Sequence, residues 1–315
     1  MHPVIESIKK EVKKVIVGHD KLIDSMIIAL ITEGHLLVEG VPGLAKTTAI
    51  NSLAKALGLE FKRVQFTPDL LPSDIVGVEI YDQKNGEFKI KRGPVFTNLL
   101  LADEINRAPA KVQSALLEVM QERQVTIGEE SFKVDRPFLV LATQNPVEQE
   151  GTYPLPEAQL DRFMLKTIVG YNSIDEEFEI VKRIADNRFE QISQAATKEE
   201  IEKLKREVLE VNVDDAVLKY MLKIIFATRD PKEFGLSEIA EFIEFGASPR
   251  GSIDLYKASK ALALIRGKDY VTPYDVAEVV GDILRHRIIL NYKAEASGIR
   301  SDEILEKILK TIKLP

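Results

Sequence analysis

Short apolar runs alternate with amphipathic segments along the first half of the chain, from position 35 to about 168. The strand-type runs are HLLVE, FKRVQF, NLLLADE, FLVLATQN and FMLKTIV. Segments between them place apolar residues three to four positions apart, as amphipathic helices do. Buried strands separated by helices favour a parallel sheet that is covered on both faces. The pattern therefore predicts an α/β domain built on a parallel sheet.

Two stretches of alternating residues interrupt this domain and predict β-hairpins. VEIYDQKNGEFKIKRG alternates around Asn85-Gly86, a strong signal for a two-residue turn. QVTIGEESFKV predicts a second hairpin, with its turn between Gly128 and Glu130. Such a hairpin is either an ornament at the edge of the sheet or a functional loop, and the pattern leaves both interpretations open.

After about position 172 the pattern predicts helices alone. Ser173 fits the first position of a capping box, and Thr272-Pro273 opens a later helix. Between them an apolar stripe recurs at helical spacing, formed by Val217, Tyr220, Met221, Ile224 and Ile225. We therefore predict two domains, an α/β core over residues 1–171 and a helical domain with its linker over residues 172–315.

Composition narrows the function classes by exclusion. The 315 residues include no cysteine, which excludes disulfides, thiol catalysis and thiolate metal sites. The four histidines lack ligand spacing, so no zinc site is expected. The formal charge of −7 gives no whole-chain electrostatic footprint for nucleic acid, although a local basic loop is compatible with it. Without a membrane-length apolar run or a signal-peptide block, we expect a soluble, cytoplasmic protein.

The stretch GVPGLAKT, from Gly40 to Thr47, nearly matches the phosphate-binding pattern G-x-x-x-x-G-K-[ST]. It follows a strand-type run and precedes a helical one, the context in which backbone N–H groups and a helix N-terminus bind an anion. Ala45 stands at the second glycine of the pattern, which matters only if that position needs positive φ. Gly43 is the alternative carrier of the tight turn. Taken alone, the match also fits a chance strand-to-helix turn.

An acidic pair follows a later apolar run, in NLLLADE. A phosphate loop needs such a partner, because the Thr47 hydroxyl and a strand-end Asp103 can hold Mg²⁺. The neighbouring Glu104 can then orient and deprotonate the attacking water. The alternative is a solvated strand end.

Polar residues in three further segments complete a candidate catalytic set. Gln144 and Asn145 end another apolar run, where an amide can bind the same water or cap the turn before Pro146. Arg162 in LDRF and Arg250 in SPRGS are either ordinary surface residues or cations that oppose charge on a transferred phosphoryl group.

Together these ordered segments resemble the AAA+ ATPases, and their sequences are similar to the MoxR family over roughly positions 15 to 290. The resemblance implies a P-loop NTPase fold, with an αβα core, a parallel sheet and hairpin inserts, followed by an all-helical lid. A small residue precedes the lysine in that family, so Ala45 becomes a family variant. The implied cofactors are ATP and Mg²⁺, with Mg²⁺ at Thr47 and Asp103. The implied nucleotide-binding residues are Val17, Gly18, Gly40, Pro42, Gly43, Leu44, Ala45, Lys46, Thr47, Thr48 and Asp103.

The same resemblance implies catalytic roles. Glu104 matches Walker B, Asn145 sensor one, Arg162 the arginine finger and Arg250 sensor two, which acts within its own subunit or across to the next. An arginine finger completes a neighbour's site, so a ring is implied, usually a hexamer. Two further residues, Arg107 and Arg123, either reach an adjacent subunit or pair with an acidic neighbour.

The resemblance implies an ATP-driven, chaperone-like remodeller that helps to mature or activate partner complexes. Family members often act with proteins that carry a von Willebrand factor A domain, so such a protein is the candidate client that the resemblance implies. One alternative is a nucleotide-gated scaffold with incidental turnover. Another is a DNA translocase, although nucleic acid is not expected as a partner. Its support is confined to the first hairpin, at Lys84, Lys89, Lys91 and Arg92.

Overall fold

The computed structural model describes residues 1–41, 43–146, 151–185 and 190–315. The strands in these ranges are β1 (Leu36–Glu39), β2 (Phe61–Gln65), β3 (Gly77–Asp82), β4 (Glu87–Arg92), β5 (Leu99–Asp103), β6 (Gln124–Ile127), β7 (Glu130–Lys133), β8 (Leu139–Gln144), β9 (Leu165–Ile168), β10 (Ile243–Phe245) and β11 (Ile289–Leu290). The helices are α1 (Pro3–Lys13), α2 (Asp20–Ile31), α3 (Lys46–Ala56), α4 (Pro72–Val76), α5 (Ala110–Glu122), α6 (Glu157–Leu160), α7 (Ile174–Ala185), α8 (Lys198–Glu210), α9 (Asp215–Arg229), α10 (Ser237–Ala240), α11 (Pro249–Ile265), α12 (Pro273–Leu284), α13 (Tyr292–Ala296) and α14 (Ser301–Thr311). Within the described ranges, every helix is too short or too polar to cross a membrane.

A parallel sheet organises the first half of the chain. In the described residues it has five strands in the order β2-β5-β8-β1-β9. Leu36 at the start of β1 lies opposite Leu141 on one side and Leu165 on the other. All five predicted runs form strands of this sheet, which confirms the predicted α/β class.

Both faces of the sheet are covered, because alternate residues along a strand point to opposite sides. Leu99 and Leu101 of β5 pack in one apolar cluster with α1, α2 and α3. Leu100 and Ala102 pack in a second cluster with α5. The first cluster continues through α8, α9, α11, α12 and α14, so the helical part packs on the sheet domain through continuous apolar contact. The boundary predicted at 171–172 stays a prediction.

The second half of the chain is helical, with one addition that the sequence did not predict. β10 and β11 form an antiparallel pair in which Ile243 lies opposite Leu290. Runs of two and three residues are too short to show a period-two pattern, so the prediction of helices alone missed them.

The Ser173 capping box is confirmed, since the Glu176 N–H donates to Ser173 Oγ at 3.3 Å.

Both hairpins are present, but the first turn differs from the prediction. Asp82 pairs with Glu87, so four residues form the loop, and the predicted two-residue turn is wrong. Asp82 stabilises the longer loop because its carboxylate accepts from the Lys84 N–H at 2.9 Å and its carbonyl accepts from the Gly86 N–H at 2.9 Å. In the second hairpin Ile127 pairs with Glu130, which confirms the predicted turn.

Candidate functional site

The strand ends singled out by the sequence meet at one edge of the sheet. Because β5, β8 and β1 are parallel neighbours, their carboxyl ends lie together, where open α/β sheets bind ligands. A cavity of about 350 Å³ opens there, which we name the phosphate cavity. It is lined by Gly43, Leu44, Ala45, Lys46, Thr47, Thr48, Arg63, Asp103, Glu104, Thr143 and Asn145. All but Arg63 and Thr143 are residues that the sequence predicted for the ATP site.

The loop between β1 and α3 has left-handed backbone at two described positions. Gly43 has a φ of 86° and Ala45 a φ of 52°. Gly43 therefore does not replace the missing glycine, since Ala45 adopts positive φ as well, at a cost of about 1–2 kcal/mol for a residue with a Cβ. Pro42, also predicted to bind nucleotide, lies outside the described residues.

Lys46 begins α3 and points back across the loop. Its Nζ donates to the Gly40 carbonyl at 2.5 Å. Burial lowers the pKa of Lys46, and the carboxylates of Asp103 and Glu104 oppose that shift. α3 begins at this loop, and the N–H groups of a first helical turn have no partner within the helix, which is the arrangement that an anion site uses.

Asp103 is bound from both sides at the end of β5. Its Oδ2 accepts from Arg63 Nη2 at 2.6 Å, and its Oδ1 accepts from Thr143 Oγ1 at 2.6 Å. Arg63 lies on β2 and Thr143 on β8, the two strands that flank β5. Sheet neighbours therefore orient this carboxylate.

Glu104 directly follows β5 and has a left-handed backbone, with a φ of 56°. Its Oε2 accepts from Gln65 Nε2 at 2.6 Å and lies 3.2 Å from Arg107 Nε. Its N–H donates to Thr143 Oγ1 at 2.8 Å. The carboxylate is thus held at the rim of the cavity, and Arg107 has the acidic neighbour that one of its two interpretations requires.

Asn145 closes the cavity from the end of β8. Only 7% of it is exposed, and it lines the cavity beside Thr143. Gln144, the other amide at the end of this strand, is absent from the lining of the described cavity. Its backbone carbonyl accepts from the Gly40 N–H at 3.2 Å.

A second, more apolar cavity of about 280 Å³ adjoins the first, and we name it the base cavity. It is lined by Val15, Ile16, Val17, His19, Gly43, Leu44, Ala45, Thr48, Asn172, Ile180, Arg183 and Ile184. Four residues of the loop and α3 line both cavities, so the two form one cleft. An apolar pocket beside a phosphate site has the chemistry that an adenine ring requires.

The residues between β9 and α7 form one wall of the base cavity. Asn172 Nδ2 donates to the Val17 carbonyl at 3.1 Å. Gly18 has a φ of 70°, and a Cβ there would lie 2.7 Å from Asn172 Nδ2 and 2.5 Å from Glu176 Oε1. Arg183 fixes α7 by donating to the Lys13 and Lys14 carbonyls at 3.0 Å each. The sequence indicated Val17 and Gly18 but not this wall.

Arg162 and Arg250 lie together, but away from the cleft. They line a third cavity of about 340 Å³, which we name the arginine cavity. It is lined by Thr32, Glu33, Gly34, His35, Met120, Gln121, Arg123, Asp161, Arg162, Met164, Arg250, Ile253, Asp254 and Lys257. Arg162 is exposed, as is half of the Arg250 side chain. In the same cavity Arg123 Nη1 lies 3.5 Å from Glu33 Oε1. Glu33 is therefore an acidic neighbour of the kind that one of the two interpretations of Arg123 requires.

The donors at the predicted Mg²⁺ position are Thr47 and Asp103, which line the phosphate cavity together. A hydroxyl and a carboxylate fit a Mg²⁺ ion that takes its remaining ligands from phosphate oxygens and water. Among the described residues there is no cluster of three or more His, Asp or Glu side chains that could hold a metal without a nucleotide.

Known proteins match the chain over nearly its full length. A profile of the ATPase family associated with various cellular activities (AAA) matches residues 35–165, and one of the AAA lid domain matches residues 237–308. Chaperone MoxR1 of Mycobacterium tuberculosis is 50% identical over 97% of this chain and 81% of its own. The uncharacterized protein YeaC of Bacillus subtilis is 42% identical over 100% and 96%. A crystal structure of a protein assigned as an ATPase, from Cytophaga hutchinsonii, has a TM-score of 0.93 and 51% identity, covering 99% of this chain and 95% of that one.

Proposed function

Because this chain belongs to the MoxR family of AAA+ ATPases, we propose that it binds ATP with Mg²⁺ in the cleft and hydrolyses it. The observation that carries the proposal is the convergence of Lys46, Thr47, Glu104 and Asn145 on one cavity with Asp103. The adjoining base cavity would take the adenine ring.

The side chains divide the chemistry among them. Lys46 and the N–H groups of α3 would bind the phosphates. Thr47 and Asp103 would hold Mg²⁺, which would supply positive charge beside the transferred phosphoryl group. Glu104 orients a water and accepts its proton, and Asn145 donates a hydrogen bond that fixes the water. Gln65 positions the Glu104 carboxylate through its 2.6 Å hydrogen bond.

Two substitutions separate binding from turnover. Lys46→Ala should abolish ATP binding, because it removes the cation from the phosphate cavity. Glu104→Gln should retain ATP and lose hydrolysis, because an amide cannot accept the proton. Calorimetry and phosphate release measure the two properties. Equal ATP affinity of the wild type and Lys46→Ala would refute the site, and undiminished turnover by Glu104→Gln would refute the role of the carboxylate.

A second part of the proposal is that the chain works as a ring in which Arg162 and Arg250 act on a neighbour's nucleotide. Both line the arginine cavity and neither lines the described cleft of its own chain. A cation that opposes phosphoryl charge in catalysis must contact that group. A second copy of the chain would bring its arginines to the cleft that the arginines of one chain do not line.

The exposed face of α7 supports self-association beside the cleft. In the described residues α7 buries no side chain completely, and four of its large apolar residues are exposed. Ile174 is 87% exposed, Phe178 60%, Val181 63% and Ile184 59%. Ile184 also lines the base cavity, so this apolar face continues from the cleft wall. A subunit that brings arginines to the cleft would lie against it.

A mixing experiment tests action across subunits. Arg162→Ala chains should bind ATP and lose hydrolysis by a factor of roughly 10³ to 10⁵, as arginine-finger losses do. Mixed with Lys46→Ala chains under exchange, they should regain activity, because some interfaces then unite an intact loop with an intact finger. No recovery despite demonstrated exchange, or full activity of a proven monomer, would refute action in trans.

We extend the proposal to the output of hydrolysis, by analogy with the relative named Chaperone MoxR1. Turnover moves a lid, residues 172–315, against a core, residues 1–171, and remodels a partner protein, for which a von Willebrand factor A domain protein is the first candidate. Trapping the ATP-bound Glu104→Gln ring and identifying proteins that co-purify only with it tests this part. A partner captured equally without ATP would favour the nucleotide-gated scaffold.

The translocase alternative has little support in the first hairpin. Lys89 Nζ lies 2.5 Å from Asp82 Oδ2, and the Arg92 guanidinium lies over the rings of Phe96 and Phe132 at 4.9 and 5.1 Å. Two of its four cations therefore have contacts within the chain. Filter binding should find no salt-sensitive affinity for DNA, and a steep salt slope would revive this alternative.

A further inference from the structure

One buried arginine joins the two segments that carry Arg162 and Arg250. The side chain of Arg287, just after α12, is 1% exposed. Its Nε donates to Asp161 Oδ1 at 2.7 Å, and its Nη2 donates to Asp254 Oδ2 at 2.6 Å. Asp161 directly precedes Arg162, and Asp254 lies one helical turn after Arg250 on α11. A single guanidinium therefore contacts both segments.

The same guanidinium holds the backbone on both sides of Arg162. Its Nη2 donates to the Asp161 carbonyl at 3.3 Å and to the Phe163 carbonyl at 3.0 Å. Its Nη1 donates to the Met164 carbonyl at 3.2 Å. Only an arginine offers enough donors in a fixed plane for such a set, and a lysine in its place would lose most of them.

Asp161 also contacts the start of α11 directly. Ser248, the N-cap of that helix, donates its hydroxyl to Asp161 Oδ2 at 3.0 Å and accepts from the Arg250 N–H at 3.2 Å. Arg250 Nη1 lies 4.0 Å from Asp161 Oδ2. The segment from the sheet domain and the helix from the helical domain therefore share one network whose centre is Arg287.

We propose that Arg287 is a positioning residue that holds Arg162 and Arg250 as one unit, so that both guanidiniums enter a neighbour's phosphate cavity at a fixed separation. This inference rests on the proposed action in trans. A catalytic cation is effective only where the charge develops, and a displacement of about 1 Å can cost on the order of 10²-fold in rate. Neither Asp161, Asp254 nor Arg287 itself needs to contact the nucleotide.

Asp254→Asn is the test variant. Removing the Arg287 guanidinium would leave two carboxylates without their partner and risks unfolding the chain, whereas Asp254→Asn keeps the side-chain shape and leaves Arg287 paired with Asp161. Asp254 also lines the arginine cavity, where its negative charge repels a phosphate. Removing that charge would, by electrostatics alone, favour a phosphate beside Arg162 and Arg250 and would not lower the rate. Loss of rate in this variant therefore reports altered position rather than altered charge.

We expect Asp254→Asn to lower kcat by about 10- to 100-fold with ATP affinity unchanged. Mixed with Lys46→Ala chains, it should regain activity, because those chains carry an intact arginine unit. Mixed with Arg162→Ala chains, it should not, because both members are then defective donors. A general loss of structure would give no such partner-dependent rescue.

Asp302→Asn is the matched control. It removes a carboxylate from Arg285, a guanidinium two residues away whose side chain is 9% exposed and whose Nε donates to Asp302 Oδ1 at 3.0 Å. The other described bonds of Arg285 go to Asp282 and to the Lys166 carbonyl on β9, and none of its described bonds reaches residues 161–164 or α11. We expect this variant to keep the wild-type kcat.

The outcomes separate the two proposals. Wild-type kcat in Asp254→Asn, or a loss that Lys46→Ala chains fail to rescue while they rescue Arg162→Ala, overturns the role of Arg287 alone. An equal loss in Asp302→Asn overturns it too, since any disturbed ion pair would then suffice. If Lys46→Ala fails to rescue Arg162→Ala as well, action in trans is refuted and this inference falls with it.

Discussion

At the scale of single residues, Ala45 holds a backbone conformation that a glycine adopts with less strain. Its φ of 52° lies in the left-handed region, which a residue with a Cβ adopts only with strain. Ala45→Gly should therefore raise the free energy of unfolding by about 1 kcal/mol and leave ATP binding intact. Ala49→Gly, in the interior of α3, should instead lower it by about 1 kcal/mol. Thermal unfolding measures both, and destabilisation by Ala45→Gly would contradict the strain argument.

The buried His35 makes stability depend on pH. Burial lowers the pKa of His35 to about 4 from its ordinary 6.5, the hydrogen bond with Met120 raises it, Arg123 lowers it and Glu33 raises it. Its Nδ1 accepts from the Val140 N–H at 3.0 Å, so Nε2 carries the proton of the neutral ring and donates to the Met120 carbonyl.

The folded state therefore disfavours protonation of His35 relative to the unfolded chain. Its contribution is fully present above pH 6.5 and is lost as the pH falls from 6.5 to about 4, by on the order of 3 kcal/mol. Urea unfolding of the wild type and His35→Asn across this range should show a shallower slope in the variant. Both chains retain His286, whose pKa burial also lowers, so some pH dependence remains in the variant. Equal slopes in the two chains would contradict the contribution assigned to His35.

How far the site could be predicted depended on where its residues lie in the chain. Lys46 was predictable from the loop pattern between a strand-type run and a helical one. Asp103 and Asn145 were predictable because each lies at the end of a strand-type run, which is visible in sequence. Arg63 and Thr143 were not, because they reach Asp103 through the order β2-β5-β8, and sheet order follows from packing rather than from any local pattern.

At the scale of elements, the first hairpin is anchored at its base and open at its tip. Arg92 packs on two rings at the base, whereas Phe88 is 66% and Tyr81 56% exposed nearer the tip. Replacing residues 83–86 by Asn-Gly should keep folding and basal hydrolysis, because the base contacts remain. Circular dichroism and phosphate release check this. Collapse of either would show the hairpin to be structural rather than a device for engaging a client.

Two helices show what the spacing of apolar residues can and cannot predict. The stripe on α9 was predictable because all five of its residues recur at helical spacing, and all are buried. The amphipathic pattern of α7 is as regular, yet α7 buries none of its apolar residues among those described. Periodicity identifies an apolar face but not what covers it, so the pattern gave no sign that this face would remain exposed.

At the scale of the whole molecule, the cleft and the arginine cavity are two incomplete halves of one proposed site. Two copies complete it only if the neighbour lies beside the cleft, where α7 exposes Phe178. Phe178→Glu places a charge in that contact at a position 60% exposed in the single chain, so it should weaken assembly and barely change folding.

Sedimentation velocity with ATP in the Glu104→Gln background should show the assembled species of the parent reduced in Phe178→Glu. In the active background the turnover per chain should fall at low concentration and recover as the concentration rises, because the defect lies in association and not in chemistry. Leu209→Glu, at a 75% exposed apolar position on α8, is the matched control and should assemble like the parent. Unchanged assembly by Phe178→Glu would place the neighbour elsewhere, and a loss of turnover that concentration does not restore would assign α7 to the chemistry of its own cleft.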